Sequence, residues 1–338
     1  MINVENLLKD ERQFLALTSL TPDEFLELYT PFAHRFRQRY KHFLLTGRRR
    51  RKPLTANAMS KPTKCIPEII DKLYFILQDL KLDLIQQGSA AHFEMNQGSV
   101  SRWLDFLRPV LQQAIEDLHL QPARDMDELT ALFRRRTAQQ NDDEDDFTAE
   151  SLHVDATHRP IGRQVDDKAQ RKDYNGKHHT HAVKNTVVCD ESRFIHFLGF
   201  TWRGAIHDKA MLDEELPVEG KFCDKTTTWT QDSGYQGYMK EVGFTIASIK
   251  RKRGQALTFL EKEFNTWLAS IRVVVEHAIG SVKRLRKIKG VNRGFSIAKQ
   301  DAEMAIAVGL HNLRVTQRKT SYHGAVSHMR ARLAYSDA

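Results

Sequence analysis

The chain has 338 residues, 41% of them hydrophobic, enough to bury one large core or two ordinary ones. A formal net charge of +9 points to a polyanionic partner, nucleic acid first, although a merely basic soluble protein would carry the same charge. Cys65, Cys189 and Cys223 stand far apart with no CxxC pair, which argues against a disulfide framework and a thiolate zinc site and fits a reducing compartment. Charges run through Met1–Leu15 where a signal peptide would be apolar, and no apolar run approaches the roughly 20 residues of a membrane span. A cytoplasmic protein without a membrane partner is expected.

Residues 1–135 read as a helical region. Thr21 suits an N-cap, with Pro22 at the first helical position and Glu24 three residues on. The basic run Arg48–Lys52 reads as a solvated loop, or alternatively as a DNA-contacting arm through Arg49 and Arg50. Ile69, Leu73, Ile76, Leu77 and Leu80 recur at three and four residues and predict a helix with one apolar face. Between about 85 and 111, two short helices are expected around a turn at Met95–Gly98. Ala90, Ala91 and Phe93 would pack the first, and Val100, Trp103, Leu104 and Leu107 the second. Ser99, Ser101 and Arg102 would project outward, the layout of a helix-turn-helix, though a plain helical hairpin would look much the same.

The acidic block Asn141–Asp146 predicts a linker over 136–150. Consecutive flexible carboxylates make a poor catalytic cage, so it is not a metal-site candidate. Beyond it the pattern turns strand-like. Leu152, Val154 and Ala156 alternate with polar residues; His181–Val188 and Phe194–Phe200 flank a plausible hairpin turn; Thr226–Thr230 and Phe244–Ile249 are further short strands. Helical periodicity returns at Leu257–Lys287 and Ile297–Val315. The expected class is α/β, a mixed sheet flanked by helices over 151–318, with a basic tail at 319–338.

Phosphodiester chemistry wants carboxylates on a rigid scaffold that bring divalent metals together. Three candidates stand out. Asp155 lies in a strand between apolar neighbours, where a carboxylate is costly unless paired or metal-bound. Asp232 follows the Thr-rich strand and precedes Ser233–Gly237, which places it at the sheet's edge, where ligands collect in α/β folds. Glu276 shares a polar helical stripe with Asn265, Arg272 and Lys283. Singly, a strand-end cap, a turn-opening Asp and a surface pair would explain them as well. Asp208 is a rival second carboxylate, expected instead to cap the following helix. His178, His179, His207 and His277 show no zinc spacing.

Five segments then occur in an informative order. They are Val154–Pro160; Tyr174–Lys177 with His181 and Lys184; Gly204–Asp208; Asp232–Gly237; and Asn265 through Arg272–His277 to Ile279, Gly280 and Lys283. Across 152 to about 290 the chain resembles the DDE transposases of bacterial insertion sequences, in the branch that shares its catalytic domain with Harbinger-type elements. The resemblance implies a ribonuclease-H-like fold in which Asp155, Asp232 and Glu276 ligate two Mg2+ ions, with Mn2+ as a substitute. It implies hydrolysis at transposon ends and transfer of the 3′ hydroxyl to target DNA by a homodimer or higher oligomer, nucleoid-associated when bound. Double-stranded DNA, as terminal inverted repeats and as target, would be the partner. Lys177, His181, Lys184 and Arg272 would contact phosphates or position the carboxylates, or equally would pair structurally within the sheet or helix. Lys283 and Arg284 would extend a basic surface beside them. A transposase-derived DNA-binding protein, or a nuclease lacking strand transfer, is the alternative.

Overall fold

The computed structural model describes residues 3–140, 151–217, 228–235, 237–238, 244–251, 254–294 and 296–334, with the side chains of 134–140, 244 and 319–334 left out. The acidic block 141–146 and Cys223 lie outside the described residues. Contacts divide the chain into two units. The first holds 1–120, 285–287 and 309–338, and the second 121–284 and 288–308.

Local signals build the first unit. It opens with α1 (Val4–Leu7), α2 (Glu11–Thr18) and α3 (Pro22–His42). Thr21 and Glu24 close a reciprocal capping box at the start of α3, with Pro22 at its first position. After α4 (Ala56–Met59) comes α5 (Ile69–Leu82), whose residues Leu73–Leu80 are all buried. That is more than the one apolar face expected: Lys72 is buried too, its ammonium donating to the carbonyls of Ile66, Pro67 and Glu68. α6 (Gln86–His92) and α7 (Gln97–Asp117) follow, with Asn96 capping α7 through the Ser99 N–H at 2.8 Å. α7 runs 21 residues, longer than the short second helix expected, because Val110, Leu111, Ala114 and Ile115 continue its buried face. Ala91 is exposed rather than packed.

The second unit begins with α8 (Met126–Gln140), then β1 (Ser151–Pro160), α9 (Asp167–Asp173), β2 (Tyr174–Asn175) and β3 (Thr180–Asp190). β4 (Ile195–Leu198), β5 (Trp202–Arg203), α10 (Asp208–Glu215), β6 (Thr228–Gln231) and β7 (Phe244–Ala247) come next. α11 (Phe259–Val282) and α12 (Arg286–Lys289) lead to α13 (Ile297–Ala334). α13 continues through residues read from sequence as a tail; its first part, to Val308, belongs to the second unit and the rest to the first.

The sheet order is β2-β3-β1-β6-β7, with β4 and β5 also paired to β3. β1 and β3 are antiparallel over nine residue pairs, Leu152↔Asp190 to Pro160↔Ala182, whereas β1, β6 and β7 run parallel. A mixed sheet with helices is consistent with a ribonuclease-H-like domain. Its core gathers Leu152, Val154, Val188, Phe197, Leu212, Leu216, Trp229, Tyr235 and Tyr238. No helix among the described residues is long and apolar enough to cross a membrane.

Candidate active site

β1 and β6 are parallel neighbours, paired Ser151↔Thr228, Leu152↔Trp229 and His153↔Thr230. Two residues past the last pair on each chain stand Asp155 and Asp232, so the two carboxylates are in step by register. β6 lies between β1 and β7, so Asp232 sits at the end of an interior strand and not at the sheet's edge. The pairing is reinforced between side chains: His153 Nδ1 and Thr230 Oγ1, both buried, are 2.7 Å apart. Asp155 accepts from the Ala156 N–H and Asp232 from the Ser233 N–H, which fixes both carboxylates.

The charge that faces them comes from α11. Arg272 Nη2 lies 3.8 Å from Asp155 and Nη1 lies 3.7 Å from Asp232, so one nearly buried guanidinium spans both acids. Its Nε is buried with no hydrogen-bond partner among the described residues. Burial nevertheless pushes the Asp155 carboxyl up to about 6, with Asp232 and Asp208 adding to the rise and Arg272 and the Ala156 N–H opposing it. At Asp155, burial and the neighbouring acids outweigh the one guanidinium.

Asp155, Asp232 and Asp208 line one cavity of about 240 Å3 with His158, Asn175, Lys177, His178 and Lys184. Asp208 does not cap α10 as expected. The cap is His207, whose Nδ1 accepts from the Lys209 N–H, and Asp208 instead pairs with Lys184 at 2.7 Å. Gly204, in the same motif, has a backbone reason: a Cβ there would meet the carbonyls of Asp173 at 2.4 Å and Ala182 at 2.7 Å.

The donor chemistry suits a hard divalent cation, since Asp155 and Asp232 offer carboxylate oxygens on adjacent strands. No three His, Cys, Asp or Glu side chains among the described residues converge closely enough to hold a metal ion. Glu276, one helical turn beyond Arg272, is exposed and does not line the cavity. Two of the three expected acids are therefore together, and the third is not.

The other expected residues divide by burial. Lys177 is exposed at the cavity, and His181 is half-buried against the Tyr174 ring. Lys184 is buried, its ammonium held by Asp208 and the Ile206 carbonyl, and so its charge is already engaged. Lys283 is half-buried and Arg284 exposed at the end of α11; burial lowers the Lys283 ammonium while Asp155 raises it. In the first unit Arg102 and Arg49 are exposed, Ser99 and Ser101 half-buried, and Arg50 turned back onto the chain. Sequence reasoning missed two contacts. Asn265 exchanges hydrogen bonds with the Ile249 backbone, joining α11 to the segment just past β7; the sequence showed it as a polar position on the helix and the start of the last ordered segment. His158 and His178 stack with ring centroids 3.9 Å apart, which nothing in their spacing announces.

Residues 154–312 match the family described as DDE superfamily endonuclease. The chain is 32% identical over 125 residues to the probable transposase for insertion sequence element IS702 of Microchaete diplosiphon, covering 37% of this chain and 43% of that protein. It thus spans less than half the length of the curated relative. No solved structure matches.

Proposed function

We propose that this chain, a DDE-superfamily protein over residues 154–312, is an insertion-sequence transposase that hydrolyses phosphodiester bonds at element ends and joins the freed 3′ hydroxyl to target DNA. The observation that carries the reading is the pair Asp155 and Asp232, brought into step by parallel strands and spanned by Arg272. In this reading Asp155 and Asp232 would hold Mg2+ or Mn2+, and Glu276, which stands outside the cavity, is the third ligand only as the resemblance implies it. The ion would supply Lewis-acid stabilisation of the attacking and leaving oxygens.

The protein's own groups do the rest. The His153–Thr230 contact and the parallel register hold the two acids at a fixed spacing. Arg272 tempers their mutual repulsion, and Lys184 holds Asp208 at the cavity wall. Lys177, exposed at the cavity, and Arg284, exposed just past the end of α11, supply charge for a phosphate backbone. Terminal-repeat binding belongs to the first unit in this reading, with α6, its turn and α7 as a helix-turn-helix whose Ser99, Ser101 and Arg102 face the major groove. Assembly as a dimer or higher oligomer on paired ends completes it.

The test is cleavage and joining of labelled duplex carrying candidate end sequences, with a target plasmid and Mg2+ or Mn2+. Wild type is expected to nick and join. Asp155→Asn, Asp232→Asn and Glu276→Gln should each lose on the order of 10^3-fold, the several kcal/mol a metal-assisted step represents. Full activity in Glu276→Gln would remove that residue from the site; full activity in Asp155→Asn would end the reading. The exposure of Glu276 favours one other reading, a DNA-binding protein descended from a transposase. That protein would bind duplex DNA and show no cation binding sensitive to Asp155→Asn.

A further inference from the structure

The five consecutive cations Arg48–Lys52 do not form a loosely solvated loop. The segment folds back on the end of α3 as a tight turn. Phe43 and Arg49 pair as an antiparallel bridge, the Leu44 N–H donates to the Arg48 carbonyl at 2.9 Å, and the Gly47 N–H donates to the Leu44 carbonyl at 2.9 Å. Gly47 sits at φ +79°, which only glycine adopts without strain, so the turn is written into the sequence. On the return, the Arg50 N–H reaches the His42 carbonyl at 2.8 Å and the Leu54 N–H the Lys41 carbonyl at 2.9 Å.

One cation of the five is spent on this construction. Arg50 Nε donates to the carbonyls of Tyr40 and Phe43, and its guanidinium lies over the Tyr40 ring, 5.2 Å from the centroid. Tyr40 in turn stacks on Phe36 and meets Phe106 edge-on, while Arg39 lies over Phe43 and Phe106, so the base of the turn rests on packed aromatic rings. The other four point away. Arg48, Arg49, Arg51 and Lys52 are exposed, and none pairs with a carboxylate among the described residues.

An ordered backbone that gathers four unpaired cations accepts their mutual repulsion unless a polyanion offsets it. Solvated surfaces ordinarily intersperse acids with bases, and this run contains no acid.

We propose that residues 43–52 form a rigid basic wing, pinned by Arg50, whose Arg48, Arg49, Arg51 and Lys52 bind the phosphate backbone of duplex DNA without reading sequence. Pre-ordering removes part of the entropy that long cationic side chains on a loose loop would lose on binding. Arg50 acts in holding the wing and not as a phosphate contact. The proposal rests on the reading of this chain as a DNA-acting protein, but it concerns binding and can fail separately from cleavage.

The experiment measures binding of the full-length chain to two labelled duplexes, one with a candidate end sequence and one unrelated, by fluorescence anisotropy over a series of salt concentrations. R48A/R49A/R51A is expected to weaken binding to both duplexes by the same factor and to reduce the log–log salt slope by about 2 to 3, since each neutralised phosphate contributes about 0.9. R48K/R49K/R51K should keep the slope. Thermal melting establishes that the variants fold; if the alanine triple does not, R49A alone should lower the slope by about 0.9. An unchanged slope in the alanine variants, or a loss confined to the end-sequence duplex, would overturn the wing as a backbone contact. Wild type that binds neither duplex would overturn the DNA reading with it.

Discussion

Arg272 is where the electrostatics of the site concentrate. One guanidinium, 9% exposed, lies within 4 Å of both Asp155 and Asp232, and burial still pushes Asp155 up to about 6. Arg272→Ala removes the guanidinium that lies within 4 Å of both acids. The expected cost is about 1–3 kcal/mol, below the figure for a fully buried pair because both carboxylates keep a quarter to a third of their surface in water. Denaturant melts at neutral pH measure it, and Asp155→Asn in the same background should recover part of the loss. An Arg272→Ala protein as stable as wild type would mean that the guanidinium is a bystander. The residue was visible in sequence as one member of a polar helical stripe; that it spans two acids from separate strands was not, because no local pattern encodes contacts with residues as far along the chain as Asp155 and Asp232.

Among the elements, the parallel pair β1–β6 sets the site. Backbone register brings Asp155 and Asp232 level, and the His153–Thr230 contact, two residues earlier on each strand, ties the same pair of strands from inside the core. A double-mutant cycle with His153→Phe and Thr230→Val should give a coupling of about 1 kcal/mol, the net worth of one buried hydrogen bond. Additive effects would show that backbone pairing alone holds the strands in step. β1 was legible from alternation, β6 from its Thr-rich composition, the β3–β4 hairpin from β-rich runs flanking a turn, and the start of α3 from its capping residues. Two-residue strands such as β2 and β5 were not, since each exists only by pairing with β3.

At the level of the whole molecule, stability against pH is governed by acids the fold has taken out of water. Glu215 is 8% exposed, accepts from Trp202 Nε1 at 2.5 Å, and fills the space beside Gly199, where any Cβ would fall 2.2 Å from its carboxylate. Burial raises its carboxyl from 4.5 to about 7. The folded state therefore holds this proton more tightly than the unfolded chain does. Its contribution is fully present below about 4.5 and is lost as pH rises through about 7, an interval worth on the order of 3 kcal/mol. His153 and His158, both lowered by burial, act in the opposite direction as pH rises, so the informative quantity is the difference between wild type and Glu215→Gln. Relative to the variant, wild type should lose stability between pH 4.5 and 7. Parallel curves would show that Glu215 is not a titrating acid of the folded state.

Sequence by itself determined the pieces whose causes are local or periodic: the capped start of α3, the existence of α5 and α11, the strands, and the mixed α/β class. Those follow from side-chain spacing and capping chemistry, which act within a few residues. Tertiary structure alone decided what each polar side chain meets. It paired Asp208 with Lys184 instead of using it as a cap, engaged Lys184 in the core, turned Arg50 into a pin while its neighbours stay exposed, and left Glu276 outside the cavity. The reason is physical: a charged group in a strand or helix reads the same in sequence whether it faces water, a counter-charge or a ligand, and only packing of distant elements chooses among the three.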